Sequence, residues 1–292
     1  MIGKDATGRE LALGRAPRRI VSLIPSVTET LFALGLDEAI VGVTVYCVEP
    51  RAGVARKTKI GGEKNPKLEL IRELGPDLVI ANVEENLKAH VDRLREWGIP
   101  VWVTYPRTVA EGIGMVRELG ELTATRTRAA AIADELEALL ADVHDRTAGR
   151  PPVPVFYPIW RAPYMTINAD TYVHDMLAVC GGRNVFGDRP ERYPTISLEE
   201  VRAARPDVIV LPDEPFRFRA THVQDFAPYP DIPAVAQGRI HLMDGKLFCW
   251  YGPRIGAALR TLPGLFAGSA GGAGRIGPEP GACGVRPGPT GP

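Results

Sequence analysis

The sequence predicts an α/β protein with two lobes, each built on a mainly parallel sheet, joined by a single long helix. Three observations predict this fold. Short apolar strands alternate with helices in both halves of the 292-residue chain. A proline-free stretch rich in Ala, Leu and Glu separates the halves. One motif also occurs twice, as KLELIRELGPDLVIAN (Lys67–Asn82) and as SLEEVRAARPDVIVLP (Ser197–Pro212).

The first lobe, residues 1–122, begins with the buried strand RIVSLI, which Pro25 ends. Ser26 and Glu29 have the spacing of a capping box and predict a helix that ends at Gly35. The segments AIVGVT, DLVIAN and PVWVT are predicted as further strands. Helices are expected between them at Leu68–Leu74 and Asn86–Trp97.

The linking helix is placed within residues 123–149, with its core from about Thr125 to Arg146, roughly 30 Å long at 1.5 Å per residue. The second lobe, residues 150–267, resumes the alternation with VPVFYPI, a helix at Tyr172–Cys180, and DVIVLP. Cys180 ends an apolar helix face, which predicts a buried thiol. Residues 268–292 contain 14 Gly or Pro among 25 residues and are predicted to be disordered.

Composition excludes several classes of protein. The 35 basic and 35 acidic side chains balance, so no nucleic-acid or anionic-membrane partner is indicated. No apolar run reaches the roughly 18 residues of a membrane-spanning helix. The four cysteines and five histidines show no metal-ligand spacing, so we expect no metal site on the protein. In the predicted folded region, residues 1–267, we also find no GxGxxG, P-loop, GxSxG or HExxH motif, which argues against an enzyme.

The repeated motif places one glutamate near the start of each of two helices. In the second copy Ser197 and Glu200 form a capping box, which leaves Glu199 facing outward. In the first copy Asn65 and Pro66 are predicted to start the helix, with Glu69 slightly further in. Either both glutamates only complement a helix dipole, or each lobe presents one exposed carboxylate on a common surface.

Seven segments in order resemble the class III substrate-binding proteins of ABC importers, which bind vitamin B12 and iron-siderophores. They are RIVSLIPSVTETLFALGL, VTVYCVEP, IGGEKNPKLELIRELGPDLVIAN, VFYPIW, AVCGGRNVFGD, YPTISLEEVRAARPDVIVLP and WYGPRIGAAL. The resemblance runs from about residue 3 to 266 and implies two Rossmann-like lobes, a rigid helical backbone and a ligand in the interlobe cleft. It also implies that Glu69 and Glu199 dock on a membrane permease dimer, one glutamate per lobe.

The cleft is expected at the carboxyl ends of the strands. The candidate ligand-binding residues there are Pro25, Ser26, Tyr46, Asn82, Glu84, Trp160, Tyr193, Asp213, Phe216, Trp250 and Tyr251. The resemblance implies that Tyr46 and Tyr193 occupy aromatic contact positions of the B12 binders and that Trp160 lies close to another. It places Asn82 where B12 binders can carry an aromatic residue. Trp97 and Trp102 are predicted core residues.

Three functions are weighed. The first is corrinoid (vitamin B12-like) capture for an ABC importer, with no covalent cofactor and any metal arriving inside its chelate. The second is ferric-siderophore or haem binding, for which Arg161 and Arg217 are candidate contacts, opposed by Glu84, Asp213 and Glu214. The third is a leaderless cytosolic enzyme on the same scaffold. An importer's binding protein must be exported, yet the opening residues have no apolar signal segment. We therefore expect a periplasmic or cell-surface protein whose leader lies upstream of Met1, with a cytoplasmic location as the alternative.

Overall fold

The computed structural model of the chain describes residues 2–267, so the predicted disordered tail lies outside the described residues. An antiparallel hairpin opens the chain, and the N-terminal lobe follows. The elements in order are β1 (Ile2–Lys4), β2 (Glu10–Ala12), β3 (Ile20–Ser22), α1 (Pro25–Ala33), a 3-10 turn (Asp37–Ala39), β4 (Ile40–Val43), α2 (Arg51–Val54), β5 (Thr58–Lys59), α3 (Leu68–Glu73), β6 (Leu78–Asn82), α4 (Lys88–Glu96), β7 (Val101–Thr104) and α5 (Val109–Thr123).

The N-terminal sheet has the strand order β5-β4-β3-β6-β7, and every pair is parallel. β3, β6 and β7 are buried along their whole length. Burial on both faces explains why their sequences are uninterrupted apolar runs rather than alternating ones. Because the strands are parallel, all their carboxyl ends lie at one edge of the sheet.

A 22-residue helix, α6 (Arg126–Thr147), connects this lobe to the second. The C-terminal lobe consists of β8 (Val153–Phe156), β9 (Tyr164–Met165), α7 (Tyr172–Val179), β10 (Gly182–Asn184), β11 (Thr195–Ile196), α8 (Leu198–Ala204), β12 (Val208–Pro212), a 3-10 turn (Ala220–Phe226), α9 (Pro233–Ala236), β13 (Ile240–Met243), α10 (Lys246–Cys249), α11 (Arg254–Thr261) and α12 (Pro263–Phe266). Its main sheet is parallel in the order β10-β8-β12-β13, and β9 pairs with β11 as an antiparallel ribbon.

The predicted fold class is confirmed: two α/β lobes with parallel sheets flank one long helix. α6 packs against α5 of the first lobe and against α7 and α11 of the second. Its buried face is formed by Ala129, Ala133, Leu136 and Val143. Contacts with both lobes along this face make α6 a structural part of each lobe rather than a loose linker.

Cys180, 1% exposed, lies in the core as predicted, and Trp102 is buried as well. Two predicted helix caps are wrong. α1 begins at Pro25, with Ile24 as its cap residue, and no side chain caps it. Proline's fixed φ suits the first helical position, so Ser26 lies inside the helix and cannot close a capping box with Glu29. α3 begins at Leu68, as the predicted range Leu68–Leu74 has it, but Asn65 and Pro66 do not start it, because Pro66 forms a β-bridge with Gly61. The Ser197–Glu200 capping box of α8 is present as predicted.

Candidate ligand-binding cleft

The loops that follow the strands of both sheets carry the exposed apolar side chains of the protein. Among residues 2–267, eight large hydrophobic side chains are exposed. Seven of them lie in loops, three after β4, two after β6, one after β8 and one before β11: Val45, Tyr46, Val48, Val83, Leu87, Trp160 and Tyr193. The eighth, Leu242, lies in the edge strand β13. A cluster of exposed apolar side chains indicates a binding surface. We call the space bordered by these loops the cleft.

Tyr46, 58% exposed, projects from the loop after β4. The loop is fixed beneath it, because the Val45 amide donates to the Gly61 carbonyl at 2.9 Å and the Cys47 thiol contacts the Thr44 hydroxyl at 3.1 Å. Gly62 lies beside the tyrosine ring, since a Cβ there would be 3.2 Å from Tyr46 Cε2. The ring is therefore an exposed side chain on a well-supported loop.

Asn82 shapes the loop after β6 instead of facing the cleft. Its side chain is buried, and its Oδ1 accepts from the amides of Glu84 at 2.8 Å and Glu85 at 3.3 Å. Its Nδ2 donates to the Thr104 hydroxyl at 3.3 Å. These hydrogen bonds fix the turn that places Glu84 and Glu85 directly beyond the end of β6. The structure therefore does not place Asn82 with the exposed candidates.

The second lobe contributes an aromatic wall. Trp160, 45% exposed, packs edge-on against Phe216 with ring centroids 5.5 Å apart, and Phe216 packs against Phe218 at 4.8 Å. Asp213 is exposed at the end of β12, and its Oδ1 accepts from the Gly245 amide at 2.8 Å. Trp160 and Phe216 therefore form one aromatic cluster, and Asp213 lies at the end of the neighbouring strand β12.

Trp250 and Tyr251 are buried and are not among the exposed side chains of the cleft loops. The Trp250 Nε1 donates to Glu214 Oε2 at 3.0 Å, and Tyr251 packs edge-on against Tyr172 at 4.8 Å. Ser26 is buried at the start of α1, beside the half-buried Pro25. These four candidates are brought to the cleft region, but most of their surface is in protein contact.

Carboxyl groups from both lobes lie at these strand ends. Burial, reinforced by the charges of Glu85 and Glu214, raises the pKa of Glu63 to about 8. Burial also raises the pKa of Glu85 and of Glu214 above their ordinary value. At neutral pH Glu63 is therefore mainly protonated and can donate a hydrogen bond, whereas an ionised carboxylate only accepts.

A polar bridge connects the two lobes across the cleft. Glu84, from the first lobe, accepts a hydrogen bond from the Tyr193 hydroxyl at 2.7 Å and pairs with Arg192 Nη2 at 2.7 Å. Arg192 Nη1 pairs with Asp170 at 2.6 Å, and Asp170 pairs in turn with Arg107 of the first lobe at 3.0 Å. We call these five residues the interlobe bridge. Tyr193, although 42% exposed, has its hydroxyl held by the opposite lobe.

The two arginines predicted as contacts for an anionic ligand differ in environment. Arg161 donates to both oxygens of Asp225, at 2.6 and 3.0 Å, and Asp225 also accepts from the Tyr164 hydroxyl. The charge of Arg161 is therefore neutralised within the second lobe. Arg217 is exposed and borders a recess of about 390 Å³ together with Asp213 and Leu242. A second recess, of about 450 Å³, lies near the C-terminal end of α6 and the starts of β8 and β10, not at the carboxyl ends of the strands.

Glu69 and Glu199 occupy equivalent positions in the two lobes. Each lies in the first turn of its helix, with its side chain 72% and 68% exposed respectively. Each also has an arginine three residues later, Arg72 or Arg202, with a closest N–O distance of 3.7 Å in both pairs. The repeat in the sequence therefore becomes a repeat in surface geometry.

Sequence reasoning did not single out Glu63, Glu85 or Arg192 for this region. Charged residues in loops resemble ordinary solvated residues, and their proximity depends on how the lobes face each other. The one available signal was position, since Glu85 lies three residues after the buried strand β6. Within residues 2–267, no group of three His, Cys, Asp or Glu side chains is arranged to hold a metal ion. No helix of that part of the chain is both long and apolar enough to cross a membrane.

Comparisons with known proteins agree with this architecture. The sequence profile described as "Periplasmic binding protein" matches residues 20–247. The vitamin B12-binding protein of Photorhabdus laumondii is 30% identical over 201 residues, which cover 68% of this chain and 72% of that protein. Among solved structures, the periplasmic heme-binding protein RhuT of Roseiflexus sp. RS-1 superposes with a TM-score of 0.76 at 28% identity, covering 85% of this chain and 97% of the other. The periplasmic vitamin B12-binding protein BtuF of Vibrio cholerae has the same fold, with a TM-score of 0.76 at 23% identity over 85% and 96% of the two chains.

Proposed function

Because this chain belongs to the periplasmic binding protein family, we propose that it captures a corrinoid in the interlobe cleft and delivers it to the permease of an ABC importer. The protein is a binding component of transport and not an enzyme, so the alternative of a cytosolic enzyme is set aside. We further propose that it works in the periplasm, as its relatives RhuT and BtuF are described to do, or at the cell surface. We also propose that the functional units are an N-terminal lobe at residues 1–122, a linking helix within 123–149 and a C-terminal lobe at 150–267.

The observation that carries the proposal is the concentration of exposed apolar side chains in the loops at the strand ends. Tyr46 comes from one lobe and Trp160 and Tyr193 come from the other, whereas the remaining tryptophans and most large hydrophobics of residues 2–267 are buried or half-buried. A corrinoid is large, partly flat and bordered by amides. Aromatic side chains with a few polar groups suit such a ligand.

The polar groups of the cleft also suit a ligand without negative charge. Carboxylates such as Glu84 and Asp213 can accept from amide N–H groups, and a protonated Glu63 can donate to an amide carbonyl. The proposed contact set is therefore Tyr46, Trp160, Tyr193, Phe216, Asp213 and Glu84, with Pro25, Ser26, Asn82, Trp250 and Tyr251 supporting it.

Haem is the second candidate ligand. It is favoured by the similarity to the Roseiflexus heme-binding protein, at 28% identity over most of both chains. Haem is also flat and apolar, but it carries two propionate carboxylates. An anionic ligand has to be matched by cations, and Arg161 is already paired with Asp225.

For delivery, we propose that Glu69 and Glu199 dock on the permease. Two equivalent exposed carboxylates, one per lobe, suit a partner with two-fold symmetry and a cationic site on each half. No covalent cofactor is required, because any metal arrives inside its chelate.

The test is calorimetric titration of the full chain with cyanocobalamin, with haemin and a ferric hydroxamate siderophore titrated in parallel. We expect saturable one-to-one binding of cyanocobalamin with a Kd below about 1 μM, which corresponds to roughly −8 kcal/mol. Preferential binding of haemin would assign the protein to the second candidate function. Failure of all three ligands to bind would contradict the importer proposal as stated.

A further inference from the structure

Arg192 is the cation at the centre of the interlobe bridge. Its guanidinium pairs with Glu84 on one side and Asp170 on the other, and it lies over the rings of Tyr105 at 5.6 Å and Tyr193 at 5.7 Å. Its side chain is 21% exposed, compared with 22% for Glu84 and 54% for Asp170. The more shielded of its two carboxylate partners is thus the one supplied by the opposite lobe.

Glu84 is held firmly in this position. Its backbone amide donates to Asn82 Oδ1 at 2.8 Å, and its carbonyl accepts from the Lys64 ammonium. Its carboxylate also accepts from the Tyr193 hydroxyl, and burial raises the pKa of Tyr193 to about 12, so this hydroxyl keeps its proton. The carboxylate therefore meets a proton donor and a cation at once, both from the second lobe.

Two further arginines of the second lobe are paired as well, whereas Arg217 is exposed and borders the separate recess beside Leu242. Arg161 is held by Asp225, and Arg254, which lies over Trp250, is held by Glu29 of the first lobe. A ligand carboxylate that approaches Arg192 finds its guanidinium already paired with Glu84. It also meets the charges of nearby carboxylates. An incoming anion has to displace Glu84 and leave that carboxylate without its cation, which is costly in a shielded place.

We propose that Glu84 is a specificity-determining residue: by pairing with Arg192 across the cleft, it prevents that arginine from receiving an anionic ligand, so the cleft selects uncharged chelates over those that carry carboxylates. This inference rests on the proposed function, since it concerns the ligand of the same cleft. It assigns the choice between a corrinoid and a dicarboxylate chelate such as haem to one residue pair.

The experiment compares the full chain with Glu84→Gln, Arg192→Gln and the double variant, each titrated with haemin and with cyanocobalamin. Releasing Arg192 from Glu84 should tighten haemin binding by about tenfold or more, because a guanidinium–carboxylate contact is among the stronger hydrogen-bonded pairs. The double variant should lose that gain, since it lacks the arginine that would receive the propionate. Cyanocobalamin has no free carboxylate for Arg192 to receive, so releasing the arginine should not tighten cyanocobalamin binding.

Glu96→Gln is the matched control, because Glu96 is an exposed glutamate of the same lobe, paired with Arg93 on α4, and outside the cleft. It should leave both affinities unchanged, which separates the specific effect from a change in net charge. Thermal unfolding establishes that each variant is folded. Glu84→Ala is a second variant that lacks the carboxylate, and unlike Glu84→Gln it leaves no amide that could still hydrogen-bond to Arg192.

Unchanged haemin affinity in both Glu84 variants would overturn the inference. A gain that persists in the double variant would overturn it as well, because Arg192 would then not be the receptor. The two proposals fail separately. Absence of cyanocobalamin binding in all of the proteins contradicts the proposed function, whereas the inference is judged from the haemin affinities of the same set.

Discussion

Tyr46 and Trp160 are large aromatic side chains that remain exposed although the chain buries most others, and this makes them the sharpest single-residue test of the cleft. Replacing either by alanine should weaken cyanocobalamin binding by about tenfold, in the range of aromatic anchors at binding surfaces. Both side chains are exposed, so the unfolding temperature should stay nearly unchanged. Isothermal titration and thermal unfolding of the two variants measure these effects.

Trp102→Ala is the contrasting variant, because Trp102 is buried in the first lobe. It should lower the free energy of unfolding by about 3–5 kcal/mol while the folded molecules keep their ligand affinity. If Tyr46→Ala and Trp160→Ala instead lowered stability and left the affinity intact, the two aromatics would be structural.

Glu63 predicts a pH dependence of stability. Its folded-state pKa is raised to about 8 from an ordinary value of 4.5, so the folded state binds more protons than the unfolded state between these values. Stability contributed by this residue is therefore lost as pH rises from about 4.5 to 8. Glu63→Gln removes the titrating group. The unfolding temperature of the variant minus that of wild type should therefore be larger at pH 8.5 than at pH 5.5, by about 3 °C or more.

Calorimetric scans of both proteins at the two pH values provide the measurement. Glu96→Gln again serves as the control for loss of one surface carboxylate. An equal difference between wild type and Glu63→Gln at pH 5.5 and pH 8.5 would show that burial of Glu63 does not shift its titration.

At the scale of elements, α8 provides a direct test of a motif read from sequence. Ser197 accepts from the Glu200 amide at 3.2 Å, and Glu200 accepts in return from the Ser197 amide at 2.8 Å. Ser197→Ala should lower the free energy of unfolding by about 1 kcal/mol, the usual cost of losing a helix cap. Urea denaturation of the variant measures this loss.

Ser26→Ala is the matched comparison, because the structure places Ser26 within α1 and not at its cap. Ser26→Ala should lower the free energy of unfolding by less than Ser197→Ala. This difference separates the capping box that the structure contains from the one that only the sequence pattern predicted. A loss at position 26 equal to that at position 197 would mean that the cap geometry does not account for the difference.

The two serines also show how far sequence patterns determine local structure. Strands such as β6 and β12 were predicted nearly to the residue, because four successive buried aliphatic or small residues leave few alternatives. The start of α1 was not predicted, since proline can end a strand or begin a helix, and here Pro25 begins the helix. Similarly, Asn65-Pro66 has the pattern of a helix start, but a tertiary bridge to Gly61 holds Pro66 outside α3.

At the scale of the whole molecule, the family and the order of the lobes could be predicted because the resemblance spans most of the chain. The charge arrangement in the cleft could not. Glu84 and Arg192 are separated by more than 100 residues, and their 2.7 Å contact depends on how α6 orients the lobes. Local propensity carries no information about such a contact, so the sequence predicts a cleft but not the residues that bridge it.

The relation between the lobes also makes the docking proposal testable. Glu69 and Glu199 repeat the same helix position, the same exposure and the same arginine three residues later, although neither side chain contributes to the described core. A partner that recognises one carboxylate on each lobe is sensitive to both. Glu69→Lys and Glu199→Lys should therefore each reduce uptake, and the double reversal should abolish it, because repulsion then replaces attraction at both contacts.

Uptake is measured with radiolabelled cyanocobalamin in vesicles that contain the cognate permease, and ligand affinity is measured by calorimetry on the same variants. Affinity should remain at the wild-type value, because both side chains are exposed and neither belongs to the proposed contact set of the cleft. Glu96→Lys, a reversal on another exposed helix of the first lobe, should leave uptake intact. Normal uptake by the double variant would restore the simpler interpretation, in which both glutamates only complement their helix dipoles.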